Sequence, residues 1–565
     1  MNVPNEAAPA AKMRWYRGYF RPLGHKTVRA FLFSVLTVAG RLKEGGFLMD
    51  LAIKLGFLVV FFGIMLFVGF YCRKHATDVN GFILGGRSVG PWLTAFAYGT
   101  SYFSAVVFVG YAGQFGWKFG VASTWVGIAN AVLGSLLAWV VLGRRTRIMT
   151  QHLDSATMPQ FFEKRFSSKT LKIIAAAIIF VFLIPYTASL YNGLSRLFAM
   201  AFDVDYAICV IIMAVLTGVY VIAGGYMATA INDFIQGIIM LVGIVAVVIA
   251  VLNVNGGFMG SLTALANVSD PATSDIPGVF ASFFGPDPTS LLGVMILTSL
   301  GTWGLPQMVQ KFYAIKSEKN ISKGTIISTV FAVVVAGGCY FLGGFGRLFL
   351  SPEEVAAQGF DAIVPSMLAN LPTVLIAVVI VLVLSASMST LSSLVLVSSS
   401  TLTLDFLKDL RKDKKMEEKK QLFIMRVLIV VFIAISVALA IFQYKSGANF
   451  IAQMMGISWG TLAGAFLAPF LFGLYWKRTT VSGCMASFIF SVVVMILDVT
   501  CKSIFPAILQ SPINCGAFCM LAGLIIVPVV SLLSKKPDTD LVNSIFACYE
   551  RKVTVTAKED LGDAE

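Results

Sequence analysis

Residues 385–400 read SASMSTLSSLVLVSSS, a dense run of hydroxyls inside a segment otherwise apolar enough to cross a bilayer. In hydrocarbon an unpartnered side-chain hydroxyl is costly, so Ser385, Ser389, Thr390, Ser392 and Ser393 must face protein, water or a ligand. Ser385, Ser389, Ser392 and Ser393 stand at i, i+4, i+7 and i+8, which places them on one helical face. Oxygens gathered on one stripe suit a hard cation that has shed most of its water. The later serines, Ser398 to Ser400, read as packing or as the wall of a vestibule.

The composition around this stretch sets the class. Hydrophobic residues make up 57% of 565 and charged residues 13%, which excludes a water-soluble domain and reads as an all-α polytopic membrane protein. The eight cysteines form no CxxC pair, and Cys72, Cys209, Cys339 and Cys484 read as small buried hydrophobes. His25, His75 and His152 all fall outside the apolar segments, so a histidine proton relay in the bilayer has no candidate. The net charge of +14 comes from short loops and is explained by membrane topology rather than by nucleic acid.

Windows of about 20 apolar residues give about thirteen transmembrane helices, near 51–72, 91–114, 120–142, 170–200, 205–224, 228–253, 288–309, 323–349, 371–402, 422–443, 449–475, 480–500 and 514–534. Basic clusters recur in alternate loops, at Arg73-Lys74 and Arg87, Arg144 to Lys172, Lys311 to Lys323, Lys408 to Lys420, Lys477-Arg478 and Lys535-Lys536. The intervening loops carry Asp270, Asp275, Asp287, Glu353, Glu354 and Asp361. Basic loops stay in the cytoplasm, so the expected arrangement is a multi-pass plasma-membrane protein with a cytoplasmic C-terminus. Residues 1–48, with eight Lys/Arg against two Glu, break this pattern. They read as a basic extension from an upstream start, with Met49 as the true beginning, followed by a transport domain at 49–535 and a short tail at 536–565.

Two spans look interrupted. Gly99-Thr100-Ser101-Tyr102-Phe103-Ser104 and Gly301-Thr302-Trp303-Gly304-Leu305-Pro306 each mix glycine and hydroxyls midway through an apolar helix. Grouping the spans as five plus five, over about 91–253 and 288–475, puts each break in the first helix of its set, the pattern of an inverted repeat with broken first helices around a binding site. Asp233, in Asn232-Asp233-Phe234-Ile235-Gln236, is the carboxylate expected to point inward, with Arg196 and Lys311 as the nearest basic residues, both assigned to membrane edges. Asp498, four residues before Lys502 at a span end, reads as one half of a local interfacial pair.

With these residues in view, the chain over about 51–535 resembles the sodium/solute symporter family. The matching pieces are Gly85-Gly86-Arg87-Ser88, Ala223-Gly224-Gly225, Asn232-Asp233 with Gln236, Met388-Ser389-Thr390-Leu391 and Leu474-Tyr475-Trp476-Lys477-Arg478; the spans look most like bacterial sodium/proline and sodium/pantothenate symporters. The resemblance implies a sodium site formed by the carbonyls of Thr100, Phe103 and Ala386 and the hydroxyls of Ser389 and Thr390. It implies a second sodium site at Asp233, Ser389, Ser392 and Ser393. It places the solute against Tyr102, Ser104, Val107, Gln114, Tyr186, Thr302 and Trp303. Tyr102 matches the pantothenate type and Tyr186 the proline type, so the pattern names no single solute, and the absence of an arginine in the fourth span argues against a sialic-acid type.

The implied function is secondary active transport, with inward sodium movement coupled by alternating access to uptake of a small organic solute such as proline or pantothenate. The implied partners are sodium ion, that solute and the lipid bilayer, with no enzyme chemistry, no nucleic acid and no obligate protein partner. The alternatives are proton coupling through Asp233, or a transporter-like solute sensor or channel.

Overall fold

The computed structural model describes residues 45–202, 204–369, 371–407, 417–446 and 451–550. Most of the basic extension at 1–48, part of the basic loop at 408–420 and the end of the tail lie outside the described residues. The chain divides into two units, 1–56 and 57–565, and the second holds the helical body and the candidate site.

Among the described residues the secondary structure is helical apart from two isolated bridges, Val89 with Ile315 and Asp270 with Ser274. In chain order the main helices are α1 (Gly45–Tyr71), α2 (Pro91–Tyr102), α3 (Ala112–Phe119), α4 (Thr124–Ala129), α5 (Arg144–His152), α6 (Met158–Phe166), α7 (Lys169–Phe202), α8 (Tyr206–Asn253), α9 (Pro288–Gly304) and α10 (Pro306–Ala314). Next come α11 (Lys319–Gly343), α12 (Thr373–Thr401), α13 (Glu418–Ser446), α14 (Ile451–Tyr475), α15 (Val481–Thr500), α16 (Pro512–Leu533) and α17 (Thr539–Phe546). Among the described residues ten helical runs are long and apolar enough to cross a membrane, and the bent pair α9–α10 makes an eleventh. Two of the ten, Val106–His152 and Tyr206–Asn253, run to 47 and 48 residues, about twice what one crossing needs. Each contains a glycine in the left-handed region, Gly120 (φ 62°) and Gly225 (φ 56°). A Cβ on Gly225 would also lie 2.9 Å from the carbonyl oxygen of Phe82, so the kink there needs glycine twice over.

Both interruptions expected from the sequence are present. Helix α2 ends at Tyr102, Phe103 is extended (φ −99°, ψ 99°), and helical structure resumes at Val106. Helix α9 ends at Gly304, Leu305 is extended, and α10 leaves at 45°. The second break corrects one boundary. The span expected to stop at 309 continues as α10 to Ala314, which moves Lys311 from a basic loop into a buried half-helix.

Burial sorts the helices by depth in the protein. The most apolar window of the α12 run is 78% buried and that of α14 83%, against 33% for α13. Helix α12 packs against α7 and α8, α2 against α8 and α11, and α14 against α7, α9, α15 and α16. The outer helices instead present large apolar side chains outward, among them Phe67, Val242, Ile326, Phe423, Phe442 and Ile525. Polar inside and apolar outside is the order a bilayer imposes.

Between α8 and α9 the chain folds back onto α3 and the end of α11. Arg347 donates to Asp270 (2.8 Å), to the carbonyl of Trp117 (2.8 Å) and to Thr273, and its guanidinium lies 3.8 Å from the ring centre of Phe280 and 4.4 Å from that of Trp117. Burial raises the Asp270 carboxyl, but hydrogen bonds from Thr273 and Arg347 and the Arg347 charge outweigh it and hold the group below the usual carboxylate range. Asp498 is fully buried with neither carboxylate oxygen in a hydrogen bond, and the charge of Lys502 still acts on it, so the expected pair is electrostatic rather than hydrogen-bonded. In the tail, α17 and the turn after it dock on the ends of α5 and α6, with Arg145 over the ring of Tyr549, Arg165 over that of Phe546 and the Tyr549 hydroxyl donating to the carbonyl of Arg145.

Candidate cation and solute site

The hydroxyl stripe of α12 faces the broken end of α2. Ser389 Oγ lies 3.1 Å from the carbonyl oxygen of Thr100, 2.8 Å from that of Ser385 and 3.2 Å from that of Ala386. Thr390 Oγ1 lies 3.2 Å from the Thr100 carbonyl and 3.1 Å from that of Ala386. Two hydroxyls with one proton each thus stand in five short contacts with three carbonyl oxygens, leaving an oxygen cluster with more lone pairs than protons. Thr100 sits in the last turn of α2, where a helix leaves its carbonyls without N–H partners. Four of the five oxygens expected of the first sodium site are therefore together. Phe103, the fifth, is the extended residue that ends α2, and with Ser104 and Ala386 it lines one small, largely apolar cavity. Uncharged oxygens in a dry pocket suit a monovalent ion, because partial charges suffice to replace its water.

The second set of residues is arranged differently. Asp233 is fully buried, with neither oxygen in a hydrogen bond, and Lys311 Nζ stands 3.7 Å from its Oδ2, itself only 2% exposed. Lys311 donates to Ser393 Oγ at 2.9 Å, and Ser393 Oγ is 2.9 Å from Ser101 Oγ. Ser392 donates to the Ser389 carbonyl at 2.9 Å. The expectation that Lys311 lies at a membrane edge, away from this carboxylate, is corrected. The residue sits five positions after Pro306 in Gln307-Met308-Val309-Gln310-Lys311-Phe312-Tyr313, and its apolar flank was the signal available.

The solute candidates fall into three sets. Tyr102, fully buried, donates to the Thr298 carbonyl and stacks on Phe103 and on Trp459 (ring centres 5.9 Å apart). Tyr186 meets the same Trp459 edge-on at 5.9 Å. The polar atoms of Ser104, Tyr186 and Trp459 are all buried and lie beside one another, Ser104 and Trp459 both facing the Tyr186 hydroxyl. Thr302 and Trp303 instead point at the Val106–His152 run, donating to the carbonyls of Gly134 (3.0 Å) and Leu133 (2.9 Å). Val107 and Gln114 are buried beyond the break, in the turn after Ser104 and in α3. Sequence reasoning missed Trp459 and also Asn130, whose Oδ1 accepts from Thr298 and Ser299 while its Nδ2 has no partner. Both lie in segments whose composition is that of ordinary packed membrane helix, so no local signal marked them.

The chain is similar to known proteins over most of its length. The model of the sodium:solute symporter family matches residues 82–491. Sodium/proline symporters of Staphylococcus aureus, from strains JH9 and NCTC 8325 among others, are 31% identical over 504 residues, covering 86% of this chain and 94% of theirs. A solved Na+-coupled sialic acid symporter, in a substrate-bound outward-open state, superposes with a TM-score of 0.70 at 17% identity, over 86% of this chain and 98% of its own. That last likeness speaks for the fold alone.

Proposed function

The chain belongs to the sodium:solute symporter family, a family of sodium-coupled membrane transporters and not of enzymes, and from that membership we propose that it takes up an amino acid such as proline or a carboxylate such as pantothenate. The observation that carries the sodium half of this reading is the meeting of Ser389 and Thr390 with the freed carbonyl of Thr100. A sodium ion held by Thr100, Phe103, Ala386, Ser389 and Thr390 joins α2 to α12 and fixes the wall on which Tyr102 and Ser104 stand. Binding from the outside favours the form that accepts solute, and closure around both then leads inward. One charge moving inward gains about 2.3 kcal/mol per 100 mV, and a tenfold sodium ratio adds about 1.4 kcal/mol.

We count the two long runs, 106–152 and 206–253, as two crossings each, which gives thirteen spans with a five-plus-five inverted repeat and places the C-terminus in the cytoplasm of a plasma-membrane protein. The solute is expected among Tyr102, Ser104, Tyr186 and Trp459, with Val107, Gln114, Thr302 and Trp303 shaping the pocket from behind. Thermal unfolding of the purified protein, screened against proline, pantothenate, short monocarboxylates and sugars, tests this. One solute should raise the unfolding temperature in sodium and not in potassium, since a ligand stabilises by mass action only where its site is formed. The Tyr186→Phe variant should need about tenfold more of that solute, the loss of one hydrogen bond to it. Equal stabilisation in both salts would refute the coupling.

A further inference from the structure

The buried pair Asp233–Lys311 is built unlike the other ion pairs among the described residues. Lys172–Glu163, Arg347–Asp270 and Arg144–Glu318 close to 2.7, 2.8 and 2.9 Å, whereas Lys311 Nζ stays 3.7 Å from Asp233 while donating to Ser393 at 2.9 Å. Neither oxygen of Asp233 receives a hydrogen bond, although the side chain is fully buried. A pair serving stability alone would close, since a buried carboxylate gains most from short, hydrogen-bonded contact. The ammonium instead sits between Asp233 and Ser393, two of the four residues expected to hold a second sodium ion. The other two are committed elsewhere, Ser392 to the Ser389 carbonyl and Ser389 to the first oxygen cluster.

We propose that Lys311 is a tethered cation standing in the place of a second sodium ion at Asp233 and Ser393, so that the protein couples one sodium ion to each solute. The inference rests on the sodium-symport reading and fixes its stoichiometry. A lysine ammonium and a sodium ion carry the same single charge, and Lys311 Nζ already stands between the buried carboxylate and the Ser393–Ser101 hydroxyl pair. The position also links the ammonium to the first site. Ser101 follows Thr100 on α2, and Ser393 lies one turn beyond Ser389 on α12, so the two helices that grip the sodium also grip Lys311. The partner is carried by α10, the half-helix after the second break.

Radioactive-sodium binding and sodium titration of thermal stability on the full-length purified protein test this in wild type, Lys311→Met and the Lys311→Met/Asp233→Asn double variant. Wild type should bind one sodium per chain with a Hill coefficient of about 1, Lys311→Met should bind two with a coefficient rising toward about 2, and the double variant should return to one. Lys311→Met should also be stabilised by sodium more than wild type, because the uncovered carboxylate then needs the ion. Two sodium ions in wild type, or one in Lys311→Met, would overturn the inference. If Lys311→Met does not fold, Lys311→Gln takes its place, and the wild-type stoichiometry decides by itself. No sodium bound in any variant, with solute still stabilising, would instead sink the symport reading and the inference with it.

Discussion

Thr390→Val is expected to raise the sodium concentration needed for half-maximal uptake by about 10- to 100-fold, while Thr390→Ser leaves it within a few-fold of wild type. Valine keeps the branched shape of the side chain in its tightly packed place on α12 and removes only the oxygen that lies 3.1–3.2 Å from the carbonyls of Ala386 and Thr100. A hydrogen-bond-strength contact to a charged group is worth about 1.5–3 kcal/mol, which converts to that range of affinity. Serine restores the oxygen without the methyl. Ser389→Ala should be at least as severe, because Ser389 Oγ touches three carbonyl oxygens. The measurement is initial uptake against sodium concentration at saturating solute. A Thr390→Val protein with unchanged sodium activation would remove Thr390 from the site.

Arg347→Met is expected to destabilise the folded protein by about 3 kcal/mol, the low end of what breaking a buried pair costs, because the side chain is only 2% exposed and Asp270 about 10%. The substitution strands the Asp270 carboxylate and also removes the guanidinium from between the rings of Phe280 and Trp117. Asp270→Asn should cost less, since an amide oxygen still accepts from Arg347. The double variant should recover part of the loss by removing the stranded charge. Acid acts in the same direction. The Asp270 pKa is depressed in the folded state, so its contribution is present above the ordinary carboxylate pKa and is lost as pH falls through the lower folded value. Thermal unfolding of the four proteins at neutral pH, and of wild type as pH is lowered, checks this; an Arg347→Met protein as stable as wild type would show the contact to be dispensable.

What could be read from the chain and what could not divide along a physical line. The breaks at 99–104 and 301–306 announced themselves because glycine, hydroxyls and proline in the middle of an apolar span oppose an unbroken helix. The stripe from Ser385 to Ser393 was legible because hydroxyl oxygens at helical spacing have no reason to face lipid. The meeting of Ser389 with Thr100 is a contact across 289 residues, and local pattern carries no information about such a pairing; there the family resemblance supplied the residues. Lys311 was misplaced because a lysine between apolar segments reads as a loop by charge alone. Only the direction of α10 after the break shows that it turns inward, toward a carboxylate 78 positions earlier in the chain. For Asp498 the charge partner four residues on was legible, but the burial of the carboxylate was not, because spacing says nothing of depth. Trp459 and Asn130 carry no local mark at all, and their assignment depends on which side chains the finished fold brings against Tyr102, Tyr186 and Thr298.

The most direct test is solute accumulation in proteoliposomes holding the purified protein, under an imposed inward sodium gradient and, separately, under an imposed inward proton gradient without sodium. Accumulation that tracks the sodium gradient, collapses when sodium is equal on both sides and is lost in Ser389→Ala is the predicted result. Accumulation driven by the proton gradient in the absence of sodium would contradict it.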